Sequence, residues 1–329
     1  MNEPDSGGRR ELRPSPVRRG GRALARKTRW GKLLEQRTLL LMSVPFVLWL
    51  IVFRYVPLWG WLIAFQHYRP GKRLLQQEWV GFDHFKFLFQ DESFYLVMRN
   101  TLAMSLINLT LGFATAIMLA IMLNELRSAF FKRTVQTISY LPHFISWVVA
   151  SSMIVNALST DTSGIVNGLL LKVGLIREPI LWLAEGKYFW GILGISEVWK
   201  NLGWNTIIYL AAITTIDPAQ YEAAEIDGAN RWQRMLYVTL PGLKPVIVIL
   251  LILNLGNLLE SGFEPQYLLG NGLTADYSEN LDLFVLKYGI AMGNFSFATA
   301  AGMFKTVISV VLLFGANHIA RKLGQPRLF

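Results

Sequence analysis

Long apolar runs alternate with short charged stretches along this chain, and that alternation constrains its fold more than any other feature. Six runs, at 38–65, 100–123, 134–158, 188–213, 243–268 and 295–319, are long enough to cross ~30 Å of hydrocarbon as helices rising about 1.5 Å per residue. Backbone in lipid must satisfy its own N–H and C=O groups, so runs of this length dictate helices. The expected fold is all-α and integral to a membrane, with about six transmembrane helices. Charged residues make up only 16% of the 329 residues, against about 25% in soluble domains, which argues against a water-soluble fold. The first run is interrupted by Pro45, Arg54 and Pro57, with its apolar core at 39–53. It is too long for a signal-peptide core and no small-x-small cleavage site follows it, so it is expected to stay as an anchor.

The formal net charge of +10 sits mainly at one end. Residues 1–37 hold 11 Lys and Arg against four acidic residues, interrupted by Pro and Gly. Such a segment is expected to form a basic cytoplasmic tail that lies against anionic membrane lipid. No aromatic-interleaved basic surface appears elsewhere, which argues against nucleic acid. With the N-terminus inside, the inner segments carry 20 Lys and Arg and the outer loops 8, so both termini are expected in the cytoplasm. The organisation expected is a tail at 1–37, a first span with its outer loop at 38–98, and a core at 99–325 holding a cytoplasmic loop at 215–242. The chain has no cysteine, which excludes disulfides and thiolate chemistry.

The cytoplasmic loop reads DPAQYEAAEIDGANRWQRMLYVTLP from Asp217 to Pro241. Asp217 is placed as a helix N-cap, Pro218 at the first helical position, and Gln220 three residues on as the partner of a capping box. The helix is expected to stop at Gly228, which adopts a left-handed conformation at low cost. Asn230 and Gln233 form a second capping-box pattern, opening a short helix through Arg231, Trp232, Arg234 and Met235. Pro241 is expected to break the chain before the fifth span. Apolar Trp232, Met235 and Leu236 beside Arg231 and Arg234 suit insertion into a groove of a soluble partner. They equally suit a helix lying on lipid.

This segment resembles the EAA loop of permease subunits of binding-protein-dependent ABC importers. That pattern runs E-A-A, three residues, G, nine residues, then I-x-L-P. Here Glu222, Ala223, Ala224, Gly228 and Val238-Thr239-Leu240-Pro241 meet every spacing, with Val in place of Ile. RYVPLWGWLIAFQHY (54–68), SYLPHFISWVV (139–149), WKNLGWNTIIYLAAI (199–213) and NLGNLLESGFEPQYLL (254–269) extend the resemblance to the carbohydrate branch. Within it they resemble the larger permease of systems for acidic oligosaccharides such as alginate and pectin fragments, and in particular the first permease subunit of alginate importers. The resemblance implies a type I ABC importer permease fold in a bacterial inner membrane. It implies that Ala229, Asn230, Arg231, Trp232, Gln233, Arg234 and Met235 form a coupling helix that docks on an ATPase, with Glu222 anchoring the elbow. It further implies a heterodimer with a second homologous permease, two ATP-binding subunits that hold ATP and magnesium, and an extracytoplasmic solute-binding protein.

The chain has no G-x-x-x-x-G-K-[ST] phosphate loop, so ATP hydrolysis is not expected in it, and no cluster has metal-ligand spacing. Polar groups at membrane depth are costly and face cavities or partner helices. Trp199, Lys200, Asn201, Trp204, Asn205, Tyr209, Asn254, Asn257 and Glu260 are therefore candidates for a substrate path. The aromatic rings suit stacking on sugar faces and Lys200 suits a uronate carboxylate. Glu197 stands three residues before Lys200 and could neutralise it instead, and the Asn and Glu side chains could merely join helices. A secondary transporter or a membrane scaffold are the competing classes. The first lacks paired discontinuous helices of internal repeats and leaves the double-capped elbow unexplained; the second would use its tail and loop to bind soluble partners.

Overall fold

The computed structural model describes residues 37–161, 163–326 and 328. The basic tail up to residue 36 lies outside the described residues. The chain divides into two compact units at Trp59 and Gly60. In the first, α1 (Arg37–Leu50) carries Pro45 inside it and leads into a π turn at Ile51–Tyr55. Its Leu, Phe and Trp side chains are exposed throughout, as suits contact with lipid. A 3-10 stretch, Val56–Phe65, follows.

The second unit is built almost wholly of helices. A two-residue antiparallel ladder pairs β1 (Gln66–His67) with β2 (Glu78–Trp79). Then come α2 (Asp83–Gln90), α3 (Glu92–Glu125), α4 (Ala129–Tyr140), α5 (Trp147–Leu158), α6 (Ile165–Lys172) and α7 (Gly186–Ile213). The elbow is α8 (Pro218–Ile226) and α9 (Arg231–Arg234), followed by α10 (Leu240–Gly256). Short helices α11 (Glu264–Leu269), α12 (Ala275–Ser278) and α13 (Leu281–Leu286) precede the long α14 (Phe295–Lys322). The stretch 66–98, expected as a polar loop, thus contains the ladder, α2 and the start of α3.

Among the described residues four segments are long and apolar enough to cross a membrane: Arg37–Phe65, Glu92–Glu125, Arg231–Gly256 and Phe295–Lys322. A fifth is possible only as a bent pair. The expected third span is two helices, Ala129–Phe144 and Trp147–Leu158, meeting at 104°. Pro142 sits in a 3-10 turn at Leu141–Phe144, and Ser146 then accepts the Val149 N–H and starts α5 afresh. The remaining expected crossing, α7, is 28 residues long but carries Glu197, Lys200, Asn201 and Asn205. It tolerates them because one face of it is set in protein: ten of its residues, Lys200 among them, are buried, against α3, α4 and α10.

The fifth span also differs from expectation. It ends at Gly256, because the chain leaves helical geometry at Asn257. It begins at Arg231, because Pro241 does not break it. The backbone widens to a π turn over Met235–Thr239, where the Leu240 N–H reaches the Met235 carbonyl. One extra residue per turn makes room for the proline ring, which an α-helix would press against the preceding turn. The same device precedes Pro57, where the Val56 N–H bonds the Ile51 carbonyl.

Close approach of backbones holds α3, α4 and α7 together. A Cβ at Gly203 would stand 2.3 Å from the Ser139 carbonyl oxygen, and one at Gly194 2.5 Å from Ile107. Buried Ala116, Ala120, Tyr209, Ala212, Ile213 and Leu243 form the core toward the elbow. Leu88, Phe94, Leu281, Phe284 and Phe297 form the core at the other end.

Candidate functional site

Two features stand out, the elbow and a polar cavity. At the elbow, the Asp217 carboxylate accepts the Ala219 N–H at 2.9 Å, with Pro218 at the first turn. The expected capping box at this end does not form. The Asp217 carboxylate takes the second amide of the helix, and the Gln220 N–H bonds the Asp217 carbonyl instead. The other end closes as expected. Gly228 takes φ +76°, its N–H bonds the Glu225 carbonyl, and the Ala229 N–H reaches back to Ala224 at 2.9 Å. Asn230 and Gln233 then cap each other reciprocally, at 2.8 and 2.9 Å.

Two side-chain ties brace this turn. Arg234 pairs with Glu225 at 3.1 Å, and the Tyr221 hydroxyl meets Thr239 Oγ1 at 2.9 Å. Ala224, Ala229, Arg234 and Met235 are half-buried on the inner side. Glu222, Ala223, Asn230, Arg231, Trp232 and Gln233 face outward, with Trp232 71% exposed beside exposed Ile226, Leu236 and Tyr237. The elbow is a rigid mount for an apolar, arginine-edged surface. Because the helix is continuous from Arg231 to Gly256, that mount and the cavity wall at Asn254 belong to one rod.

The cavity, about 170 Å³ in volume, lies between α3, α7 and α10 with the turn after it. α3 contributes Ser105, Asn108, Gly112 and Thr115; α7 contributes Glu197, Asn201 and Asn205; α10 and its turn contribute Asn254, Asn257, Glu260 and Ser261. Five sequence candidates, Asn201, Asn205, Asn254, Asn257 and Glu260, are thus brought together. Tyr209 lines an adjoining hollow with Asn108, Asn205 and Asn254. Ser105 Oγ and Asn108 Oδ1 are buried with no hydrogen-bond partner among the described residues, so the wall presents unspent polar capacity to the cavity. Its lining residues include no Lys, Arg or His.

The other candidates point elsewhere. Lys200 is buried; its Nζ donates to the His143 carbonyl at 2.9 Å and lies over the Trp147 ring. It does not pair with Glu197, whose carboxylate accepts from Asn201 Nδ2 at 2.7 Å. Asn201 Oδ1 accepts a hydrogen bond from His143 Nδ1 at 3.1 Å, and Trp204 stacks on the His143 ring at 4.5 Å. Lys200 and Trp204 therefore clamp the bend between α4 and α5 onto α7. Trp199 lines an apolar hollow with Ile154 and Trp182. Lys305, also at membrane depth, pairs with Asp282. Sequence reading missed the α3 wall. Its signal was present, since Ser105, Asn108, Gly112 and Thr115 recur at spacings that share one helical face. Among the described residues no three His, Asp or Glu converge to hold a metal ion.

Residues 108–325 match the family described as binding-protein-dependent transport system inner membrane component. The chain is 40% identical over 318 residues to Protein LplB of Bacillus subtilis (strain 168), covering 96% of this chain and 98% of that one. It is 43% identical over 298 residues to the polygalacturonan/rhamnogalacturonan transport system permease protein YteP of the same organism, covering 91% and 92%. Its fold matches a chain of the bacterial alginate ABC transporter, crystallised in complex with an alginate pentasaccharide-bound periplasmic protein. The TM-score is 0.83 at 38% identity, covering 91% of this chain and 99% of that one. The chain belongs to the binding-protein-dependent transport system inner membrane components and is a non-catalytic permease subunit of a carbohydrate ABC importer.

Proposed function

We propose that this subunit imports acidic oligosaccharides of the alginate or pectin type, by alternating access driven by ATP hydrolysis in partner subunits. One observation carries the substrate class: similarity along nearly the whole chain to a polygalacturonan/rhamnogalacturonan permease and to an alginate transporter. In this reading a periplasmic solute-binding protein delivers the sugar, and a second, homologous permease supplies the other half of the path. Two ATP-binding subunits, holding ATP and magnesium, dock on Trp232 and its neighbours at the elbow. Both termini lie in the cytoplasm. Closure of the ATPase pair moves the elbow, and the continuous helix from Arg231 to Gly256 carries that motion to Asn254 at the cavity as a rigid-body shift. The sugar passes along the wall of Asn108, Asn201, Asn205, Asn254, Asn257 and Glu260, whose amides and carboxylate suit hydroxyl groups.

A second reading, import of neutral oligosaccharides, is favoured by the lack of any Lys, Arg or His among the cavity lining. A uronate carboxylate on this wall would meet no fixed cation, so in the leading reading its countercharge comes from the second permease. Reconstituting the complete transporter in liposomes separates the two. ATP-dependent accumulation of labelled oligouronate, in preference to a neutral oligosaccharide of equal length, is expected. Accumulation of the neutral sugar alone would reject the acidic assignment.

A further inference from the structure

The least regular backbone lining the cavity is the turn after α10, and buried side chains hold it from behind. α10 ends at Gly256, and the chain reaches α11 at Glu264 through residues 257–263 without regular helix. Asn257, Glu260 and Ser261 of this turn line the cavity. Non-helical backbone at membrane depth persists only where protein or a polar cavity satisfies it. Here Asn280, 0% exposed, supplies the protein side. Its Nδ2 donates to Ser261 Oγ at 2.8 Å and to the Gly262 carbonyl. Its Oδ1 accepts the Leu283 N–H at 2.9 Å, capping α13.

Asn280 is itself fixed to the opposite wall. The Leu281 N–H bonds Thr101 Oγ1 at 2.9 Å, and Asn100 Nδ2 bonds the carbonyls of Asp276 and Glu279 at 3.0 and 2.9 Å. Asn100 and Thr101 are buried on α3, one turn before the cavity residue Ser105. A buried polar connection therefore runs from the α3 wall through Asn280 to the turn on the α10 wall, beside a second tie from Gln266 Nε2 to the Ser261 carbonyl at 2.9 Å.

We propose that Asn280 is a positioning residue for transport. It sets the shape of the turn at 257–262, and so the placement of Asn257 and Glu260 against a passing sugar. This rests on the reading of the cavity as the sugar path. The competing role for Asn280 is a helix cap alone, and the two separate by substitution. Asn280→Ser keeps a hydroxyl that caps α13 but is too short to reach Ser261 and Gly262; Asn280→Ala removes both functions.

The test uses the complete transporter in proteoliposomes, with oligosaccharide-loaded binding protein. Both variants are expected to lose about tenfold in uptake and in ATPase stimulation by loaded binding protein, with basal hydrolysis held within about twofold. Ser261→Ala leaves the α13 cap intact and is expected to lower uptake about fivefold. Wild-type uptake by Asn280→Ser would overturn the proposal, since a cap alone would then suffice. Equal loss of basal and stimulated hydrolysis would also overturn it, as the mark of general misfolding. If Asn280→Ser fails to assemble, Ser261→Ala decides, and wild-type uptake there overturns the proposal. Asn205→Ala, on the α7 wall, separates the two levels of the argument. Normal uptake in that variant sinks the cavity reading itself, whereas impaired uptake beside a normal Asn280→Ser sinks only the positioning role.

Discussion

At the residue scale, the same residue types carry opposite meanings depending on what lies across from them. Gly228 has open space where a Cβ would be, so its constraint is the φ of +76°. Gly228→Ala is expected to cost the elbow about 1–2 kcal/mol and to lower uptake with assembly intact, read as transport per folded complex. Glu222→Lys, on the exposed face, is expected to abolish uptake while the permease still inserts; normal substrate-stimulated ATPase activity would contradict its role. Lys200 illustrates the reverse case. As a cation within an apolar run it reads as a substrate group or a partner of Glu197, yet its ammonium is spent on the His143 carbonyl, which lies 57 positions away in sequence. Lys200→Met is therefore expected to reduce the yield of folded transporter and to leave the ratio of acidic to neutral uptake within about twofold. A changed ratio would return Lys200 to the sugar path. Gly228, Asn230 and Gln233 were legible because their partners are local. Lys200, Trp204 and Asn280 were not, because their partners come from other helices.

At the element scale, periodicity located every long helix but not how two of them bend or join. Pro142 and Pro241 each follow a leucine, the first inside the expected third span and the second just before the fifth. The first ends a helix because Ser146 offers a new N-cap four residues on, and the chain turns through 104°. The second continues because a π turn absorbs it. Thr239, the last residue of that turn, is held by Tyr221 of the preceding helix, a contact no local pattern encodes. In the proposed mechanism the helix continuous from Arg231 to Gly256 carries the elbow's motion, so loosening its origin should matter. Asn230→Ala removes the reciprocal cap and is expected to destabilise this end by about 1 kcal/mol, seen as faster amide exchange across 230–235 and weaker coupling. Gly203→Val is expected to prevent assembly, because its Cβ would collide with backbone at Ser139 and α7 could not seat on α4 at a cost below about 1–3 kcal/mol.

At the scale of the whole molecule, the chain is, in the proposed mechanism, half of a path with its energy source elsewhere. The chain has a braced elbow with an exposed apolar surface, a polar cavity, and a helix joining them, but no phosphate-binding loop in its sequence. Purified alone, it is expected neither to hydrolyse ATP nor to transport sugar in liposomes, and transport by the isolated chain would refute the account. Because the sequence contains no cysteine, a single introduced thiol reports on one place without background. The most direct test of the elbow's role is cross-linking from Arg231→Cys in the assembled transporter, with a short thiol-reactive photoprobe. The account predicts a covalent adduct with the ATP-binding subunit whose yield changes when ATP is added. Adducts with lipid alone, unchanged by ATP, would show instead that the elbow rests on the membrane and would contradict coupling through it.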